Sequence, residues 1–327
     1  MRAIGGTALE QAAAAPSGLR RQRIEDWLFR NVTRGFAVGV LLLLTTILLA
    51  LVDGALPAIK TFGIAFLWDQ SWNPVKHLFG ALPAIYGTLV TSAIAMLIAM
   101  PVGLGIAIFL TELCPPVLRR PVGVMVELLA AIPSIIYGIW GLFVLAPLLQ
   151  STVQPALIAA LGPIPIIGVL FQGPPLGLGL LTAGFILAVM VLPFVAAVSR
   201  DVFLTVPAVL RESAYGVGAT TAEVVRAIVL PFTRVGVVGG VMLGLGRALG
   251  ETMAVTFVIG NSHRISASLL APGTTISATL ANEFTEAVND LYTASLIELG
   301  LILFILTFIV LAVAKLMLMR LEERAAK

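Results

Sequence analysis

Charged residues are scarce in this sequence: only 11% of its 327 residues are Asp, Glu, Lys or Arg, whereas 59% are apolar. A water-soluble domain of this length needs more charge to cover its surface. The mean hydropathy is +1.05, and the run 36–52 contains no charged residue. A spanning helix needs about 20 mostly apolar residues, whereas a barrel strand alternates over shorter segments. The composition therefore excludes a soluble domain and predicts an all-α, polytopic transmembrane helical bundle.

Residues that carry chemistry are equally scarce. Cys114 is the only cysteine, which excludes an intrachain disulfide and a cysteine-rich metal site. His77 and His263 are far apart and show no HExxH pattern. None of the four lysines follows a glycine, so the chain has no GK[ST] phosphate loop. We expect no catalytic residue, no metal and no cofactor in this chain. If it takes part in pumping, another chain hydrolyses the nucleotide.

Six apolar runs are long enough to cross a bilayer. They lie at about 36–58, 82–111, 122–146, 177–199, 235–259 and 291–318. The second run is long enough to require a tilt or a break, and Pro101 is its natural breaking point. Residues 147–176 carry no charge and are rich in proline, which predicts a semi-apolar loop or a re-entrant segment.

The distribution of basic residues predicts the orientation of the bundle. Cytoplasmic segments are enriched in Lys and Arg near the ends of spans. With the N-terminus inside, sixteen of the twenty Lys and Arg residues fall in inside segments, and only Lys60, Lys76 and Arg264 fall outside. Six spans then place both termini in the cytoplasm. The predicted organisation is a tail at 1–35, a transmembrane domain at 36–318 and a second tail at 319–327.

The predicted cytoplasmic loop 201–233 is the most polar interior segment. A first helix is expected over 208–215, followed by a glycine turn at 216–218. A threonine at 220–221 can cap a second helix, which Pro231 is expected to end. The loop is too apolar for a solvated linker, so it predicts a surface that docks on a partner. The alternative is an ordinary amphipathic loop helix.

The same loop resembles the EAA loop of bacterial ABC-importer permeases of the MetI-like class. The matching residues are Glu212, Ala214, Gly218, Ile228, Leu230 and Pro231. Ser213 stands where the pattern has its middle alanine, and a serine is small enough to preserve close packing. The resemblance implies an ATPase-coupling loop whose helix sits in a groove of the ATPase. There Glu212 can pair with a basic residue of the partner.

The fifth run carries the one basic residue expected near the middle of a span, Arg247. A glycine stripe at Gly236, Gly240 and Gly244 is typical of a helix that a neighbour approaches closely, and Gly246 and Gly250 form a second such pair. Glu251 follows Arg247 by four residues, so a continuous helix would place both on one face. Two interpretations remain open. The pair is a structural ion bridge, or it lines a substrate pathway in which Arg247 contacts an oxyanion and Glu251 tempers that contact.

The stretch around Arg247 also resembles the phosphate-specific members of the permease family. The resemblance rests on residues 246–255 (GRALGETMAV), 72–74, 79–83 and 86–89, and it runs from about Phe66 to the end of the chain. It implies half of an inorganic phosphate importer in a bacterial inner membrane. The implied partners are an ATPase dimer (PstB-like) that binds ATP and Mg, a second permease (PstA-like) and an extracytoplasmic phosphate-binding protein (PstS-like).

Several alternatives stay open at this point. The chain can be the PstA-type sister or a permease for another oxyanion, because physical reasoning alone specifies only an anion. A secondary carrier using Arg247, Glu251 and Glu298 is a more distant possibility. It is disfavoured by the absence of a clear internal repeat and by the docking loop. Glu127 and Glu298 are otherwise expected to be structural carboxylates. A third hypothesis is a membrane subunit with no pathway.

Overall fold

The computed structural model describes residues 16–325, and this range contains helices but no strand. Six helical stretches are long and apolar enough to cross a membrane. They are Glu25–Phe62, Leu82–Leu113, Ser134–Leu161, Leu180–Leu204, Thr221–Gly250 and Asp290–Met317. The predicted all-α transmembrane bundle is therefore confirmed. Residues 1–15 of the predicted N-terminal tail and residues 326–327 of the C-terminal tail lie outside the described range.

The chain divides into two compact units, the first ending at Asp53 and the second beginning at Gly54. The described part of the first unit is a single helix. This helix, α1 (Pro16–Phe62), begins well before the predicted span at 36. Its side chains from Phe36 to Leu44 are almost all exposed. Exposed apolar side chains of this kind are expected where a helix faces lipid.

The second unit contains thirteen further α-helices within the described residues. These are α2 (Ala65–Trp68), α3 (Leu82–Ile108), α4 (Pro116–Ala131), α5 (Ser134–Trp140), α6 (Ala146–Leu148), α7 (Gln154–Leu161), α8 (Leu180–Leu204), α9 (Ala208–Gly216), α10 (Thr221–Val224), α11 (Leu230–Gly250), α12 (Met253–Val258), α13 (Ile276–Glu283) and α14 (Asp290–Ala325). Turns of π-helix occur at Phe109–Leu113, Gly141–Leu145, Leu149–Val153 and Val225–Val229.

Helix α8 is the central element of this unit. In its most apolar 18-residue stretch, 61% of the residues are buried, whereas at most 28% are buried in the corresponding stretches of the other five spans. Small residues allow its neighbours to approach. A Cβ at Gly184 of α8 would lie 2.6 Å from Ile94 of α3, and one at Gly103 of α3 would lie 2.9 Å from Val195 of α8. Contacts this close exclude a larger residue at either glycine.

The third predicted span, 122–146, is interrupted in the structure. Helix α4 ends at Ala131, and Ile132 and Pro133 are extended. A residue before proline is disfavoured in the helical region, and the proline has no N–H to donate to the Leu129 carbonyl. The Tyr137 hydroxyl donates to that carbonyl instead, at 2.8 Å.

The loop prediction for 147–176 is wrong over its first half, because helix continues to Leu161.

The close contacts of glycines show that α4 and α5 run antiparallel to α8. A Cβ at Gly123 would meet the guanidinium of Arg200, and one at Gly141 would meet Ile186. We call the end of the unit with residues 200–234 the inner end, because the distribution of basic residues predicts that it faces the cytoplasm, and we call the opposite end the outer end.

Two prolines that were expected to break or end a helix do not do so. The α-helix α3 continues through Pro101, and its irregular π-turn comes later, at Phe109–Leu113. The helix that begins at Thr221 likewise passes Pro231 and continues to Gly250. A π-turn over Val225–Val229 precedes this proline. A π-turn locally widens the helix. After the proline, the Thr233 hydroxyl donates to the Val229 carbonyl at 2.6 Å.

Candidate functional site

The glycine stripe of α11 packs on the central helix. A Cβ at Gly236, Gly240 or Gly244 would lie 2.5 to 2.9 Å from a valine side chain of α8. The close helix contact predicted from these glycines is confirmed. The second predicted glycine pair makes no such close contact. Gly250 has open space around it, and a Cβ at Gly246 would meet only Leu311, at an ordinary van der Waals distance.

Arg247 lies on α11 beyond this stripe, about halfway along α8. Its guanidinium carbon is 4.5 Å from the centre of the Phe194 ring, a cation–π contact with α8. Its Nε is buried and has no hydrogen-bond partner. Among the described residues, no carboxylate forms an ion pair with Arg247. A partly buried cation without an acidic partner has unused hydrogen-bonding capacity for an anion.

The predicted pairing of Arg247 with Glu251 does not form. Helix α11 ends at Gly250, and Glu251 has extended dihedral angles of φ −69° and ψ 130°. The two residues therefore do not share a helical face. The Glu251 Oε1 instead accepts a hydrogen bond from the Ala254 N–H at 3.4 Å, at the start of α12. The expectation failed because the glycine before Glu251 ends the helix.

Interrupted helices meet close to Arg247. Helix α5 follows the break at 132–133, and α12 follows the break at 251–252. Gly138 of α5 packs so closely on Ala254 and Phe257 that a Cβ there would lie 2.8 Å from the Phe257 ring. Interrupted helices at membrane depth are tolerated where they are buried in protein or line a cavity. Arg247 is identifiable from the sequence, but the convergence of these breaks is not.

At the inner end, residues 208–220 consist of α9 and the turn after it, and we call them the docking segment after their predicted role. The predicted helix over 208–215 is present one residue longer, as Ala208–Gly216. Gly218 has a φ of +90°. The Ala219 N–H donates to the Ala214 carbonyl at 3.0 Å. A glycine in this left-handed conformation is the usual end of a helix closed by such a hydrogen bond.

The predicted coupling residues divide between two faces of this region. Ala214, Ile228 and Leu230 are partly buried and pack on a core cluster that includes Phe203 and Val224. Glu212, Gly218 and Pro231 are exposed. The inward residues hold the loop in place, and the outward residues are available to a partner.

The exposed face of the docking segment is more apolar than the sequence motif indicates. Val209 is 69% exposed and Val217 is 86% exposed. Both lie near the pattern positions Glu212 and Gly218 without belonging to the pattern. An apolar patch with one carboxylate is suited to insertion into a groove.

An ion pair joins the docking segment to α3, and sequence analysis missed it. The Arg211 Nη2 lies 3.2 Å from Glu112 Oε1, which is in the π-turn that ends α3. The same nitrogen donates to the Phe203 carbonyl at 2.6 Å. The Glu112 side chain is only 5% exposed. Arg211 and Glu112 are 99 positions apart in the sequence, so no local pattern could have indicated the pair.

A second polar network lies at the outer end. Glu283 accepts hydrogen bonds from Trp72 Nε1 and the Tyr292 hydroxyl, at 2.5 and 2.7 Å. His263 Nε2 lies 2.9 Å from its other oxygen, and the His263 ring stacks on Trp72. Burial opposes ionisation of Glu283, but these hydrogen bonds outweigh it and hold the pKa of this carboxyl below its usual range. The network ties the 69–80 loop to the 260–290 loop.

No protein-family model matches the chain. Solved structures share its fold. A chain of the MetNI methionine ABC transporter aligns with a TM-score of 0.57 over 77% of this chain and 99% of that chain, at 18% identity. A chain of a bacterial alginate ABC transporter aligns with a TM-score of 0.55 over 88% and 95% of the two chains, at 19% identity. The fold is that of a MetI-like ABC-importer permease.

Curated relatives cover almost the whole chain. The phosphate transport system permease protein PstC of Mesorhizobium japonicum is 64% identical over 94% of each chain. The protein of the same name from Pasteurella multocida is 54% identical over 98% of this chain and 99% of its own, and a probable one from Methanocaldococcus jannaschii is 38% identical over 86% and 90%. The chain belongs to the PstC family of phosphate transport system permease proteins.

Proposed function

We propose that this chain forms half of the translocation pathway of an ATP-driven inorganic phosphate importer and has no catalytic site of its own. The observation that carries the proposal is Arg247, a cation at mid-span depth with a buried Nε that lacks a hydrogen-bond partner. A guanidinium offers several N–H donors in a planar fork that suits phosphate oxygens. Membership in the PstC family supports phosphate as the anion.

Transport requires that the anion be released as well as bound, and the surroundings of Arg247 favour release. Its cation–π contact with Phe194 stabilises the guanidinium without neutralising it. Glu251 lies four residues further along, on the extended segment after α11. In this proposal the carboxylate weakens the hold of Arg247 on the anion when the two approach during the transport cycle.

The proposed partners follow from the same family. An ATPase dimer of the PstB type binds ATP and Mg and receives the docking segment, with Val209, Val217 and Glu212 in the contact. A PstA-like permease supplies the other half of the pathway. An extracytoplasmic PstS-like protein delivers phosphate to the outer end. The assembly lies in a bacterial inner membrane, with both termini of this chain in the cytoplasm.

The Arg211–Glu112 pair gives a physical route from the docking segment to the spans. Arg211 precedes the exposed Glu212, and its guanidinium is held by α3 and by the end of α8. A displacement of α9 by the ATPase therefore pulls on two spans at once. Neither of these spans carries Arg247, but α8 contacts it through Phe194.

Uptake in a strain that lacks its own phosphate permease tests the substrate. The chain is expressed with its sister permease and ATPase, and labelled phosphate uptake is competed with sulfate and molybdate. We expect unlabelled phosphate alone to compete effectively. Equal competition by sulfate or molybdate would identify another oxyanion permease.

Co-purification tests the ATPase requirement. Tagged chain is expected to retain the ATPase after solubilisation, and Arg247→Gln is expected to retain it as well. Uptake by the chain alone, in vesicles without an ATPase, would instead identify an ion-coupled carrier.

A further inference from the structure

A cavity of about 340 Å³ opens at the inner end of the bundle, and its lining includes neither Arg247 nor a residue of the docking segment. It is enclosed by the inner ends of α3 and α8 and by the first turns of α4. Its lining residues are Leu110, Thr111, Pro116, Arg119, Arg120, Val124, Glu127, Arg200 and Leu204. The volume is in the range of a small-molecule site, about 300–1,000 Å³.

The cavity wall has an excess of positive charge. Arg200 is already neutralised by ion pairs with Glu127 at 2.7 Å and Asp201 at 2.9 Å. Arg119 makes one weak hydrogen bond, from Nη2 to the Cys114 carbonyl at 3.5 Å. Among the described residues, neither Arg119 nor Arg120 forms an ion pair. Two guanidinium groups at the cavity are therefore available to an anion.

The remainder of the cavity is apolar and open at the side of the bundle. Leu110 forms its buried floor, at 1% exposure. Val124 and Leu204 line its mouth and are 45% and 52% exposed. Val117, next to the cavity, is 84% exposed. Exposed aliphatic side chains beside two free arginines form an amphipathic site with a cationic head and an apolar flank.

We propose that this cavity binds the phosphate headgroup of an anionic phospholipid from the inner leaflet. Arg119 and Arg120 contact the phosphodiester, and an acyl chain runs along Val124 and Leu204. The charge complementarity favours an anionic lipid over a zwitterionic one, and basic pockets between spans on the cytoplasmic side suit such headgroups. The apolar mouth favours a lipid over free phosphate, which has no apolar part to occupy it.

The site has a structural consequence for α4. Glu127 and Arg200 join α4 to α8 directly beside the cavity. A bound lipid that contacts Arg119, Arg120 and Val124 of α4 and Leu204 of α8 adds a second connection between these two helices. The proposal concerns a structural lipid and does not depend on which substrate the pathway carries.

The test uses the full chain, purified with the subunits that accompany it, stripped of lipid in detergent. Phosphatidylglycerol or phosphatidylcholine is added, and bound lipid is counted by native mass spectrometry. We expect retention of phosphatidylglycerol only. Each basic residue near the headgroup contributes a factor of roughly five in affinity, so the double variant Arg119→Gln/Arg120→Gln should bind it about 30-fold more weakly.

A matched control removes two charges elsewhere at the same end. Lys315→Gln/Arg320→Gln on α14 should retain phosphatidylglycerol as the wild type does, because these exposed residues lie outside the cavity. A second variant, Val124→Trp, keeps all charges and fills the mouth, and it should also lose the lipid. This variant separates occupancy of the cavity from general charge effects.

Three results would overturn the proposal. The first is unchanged retention in both cavity variants. The second is displacement of the lipid by millimolar inorganic phosphate, which would indicate a site for free anion. The third is efficient crosslinking of Val124→Cys to an accompanying membrane subunit, which would show that a protein covers this face.

Discussion

Arg211 of the docking segment and Glu112 at the inner end of α3 lie 3.2 Å apart, and both side chains are largely shielded from solvent. The Arg211 Nε and the Glu112 Oε1 have no hydrogen bond that satisfies them. The contact is thus an ion pair with loose hydrogen-bond geometry, held mainly by charge. A contact of this kind can shift without breaking when α9 moves.

Removing one partner of this pair should separate ATP hydrolysis from transport. We expect Glu112→Gln and Arg211→Gln each to reduce phosphate uptake while the ATPase stays bound. The double variant should be little worse than either single variant, because contacting residues show coupling of about 0.5–3 kcal/mol. Uptake, ATPase activity and subunit retention are measured together.

The control for this pair is Arg226→Gln, since Arg226 is an exposed arginine of the same predicted loop. It should leave all three measurements close to wild type. Additive losses in the Glu112→Gln/Arg211→Gln double variant would show that the two residues act independently.

Loss of the charge at Arg247 should strongly reduce transport without dissolving the complex. Arg247→Gln removes one charged donor, worth about 1.5–3 kcal/mol, and should lower uptake roughly 10- to 100-fold. Arg247→Lys keeps the charge but loses the planar fork, so its uptake should be intermediate. Normal uptake by Arg247→Gln would exclude a pathway role.

Glu251 is expected to affect release more than capture. If its carboxylate opposes the bound anion, Glu251→Gln should lower both the phosphate concentration for half-maximal uptake and the maximal rate. Uptake kinetics measured over a range of phosphate concentrations distinguish this outcome from a purely structural effect. A structural role predicts a lower maximal rate with an unchanged half-maximal concentration.

Gly218 is the position at which the docking segment should be most sensitive to backbone change. Its φ of +90° is disfavoured for a residue with a Cβ, although open space surrounds it. Gly218→Val should therefore distort the turn and weaken ATPase binding or coupling. Gly216→Ala is the matched control, because Gly216 also has open space but no positive φ. Retention of the ATPase and coupled hydrolysis by Gly218→Val would count against docking at this turn.

The Glu283 network should make the outer end sensitive to acid. The pKa of Glu283 is lowered in the folded protein, so its stabilising effect is present above the carboxyl's unfolded pKa and is lost as the pH falls through the folded value. In detergent, we expect the thermal unfolding midpoint of the wild type to decrease when the pH is lowered below about 4. At pH 7, Glu283→Gln should lower the free energy of unfolding by about 1–3 kcal/mol and so lower the thermal midpoint. The midpoint of this variant should also depend less on pH in the acid range.

Glu286→Gln serves as the comparison, since Glu286 is an exposed carboxyl near the same network. It should leave both the midpoint and its pH dependence nearly unchanged. An identical acid response in wild type and Glu283→Gln would mean that other groups control stability at low pH.

The sequence by itself determined the features that depend on composition and local order. Run length predicted six spans, because a bilayer requires a minimum number of consecutive apolar residues. The helix in the docking segment ends at the glycines of 216–218 as expected, and Thr220 caps the next helix. Arg247 was identified because a cation in an apolar run is conspicuous without any knowledge of its neighbours.

Only the tertiary structure decided which residues these elements bring together. Arg247 faces Phe194 rather than Glu251, because Gly250 ends α11 between them. Pro133 interrupts a span while Pro101 and Pro231 do not, although each of the three lacks the N–H that a helix interior needs. The pairs Arg211–Glu112 and Arg200–Glu127 join distant parts of the chain. Helix packing, which local sequence does not encode, determines which charges become neighbours.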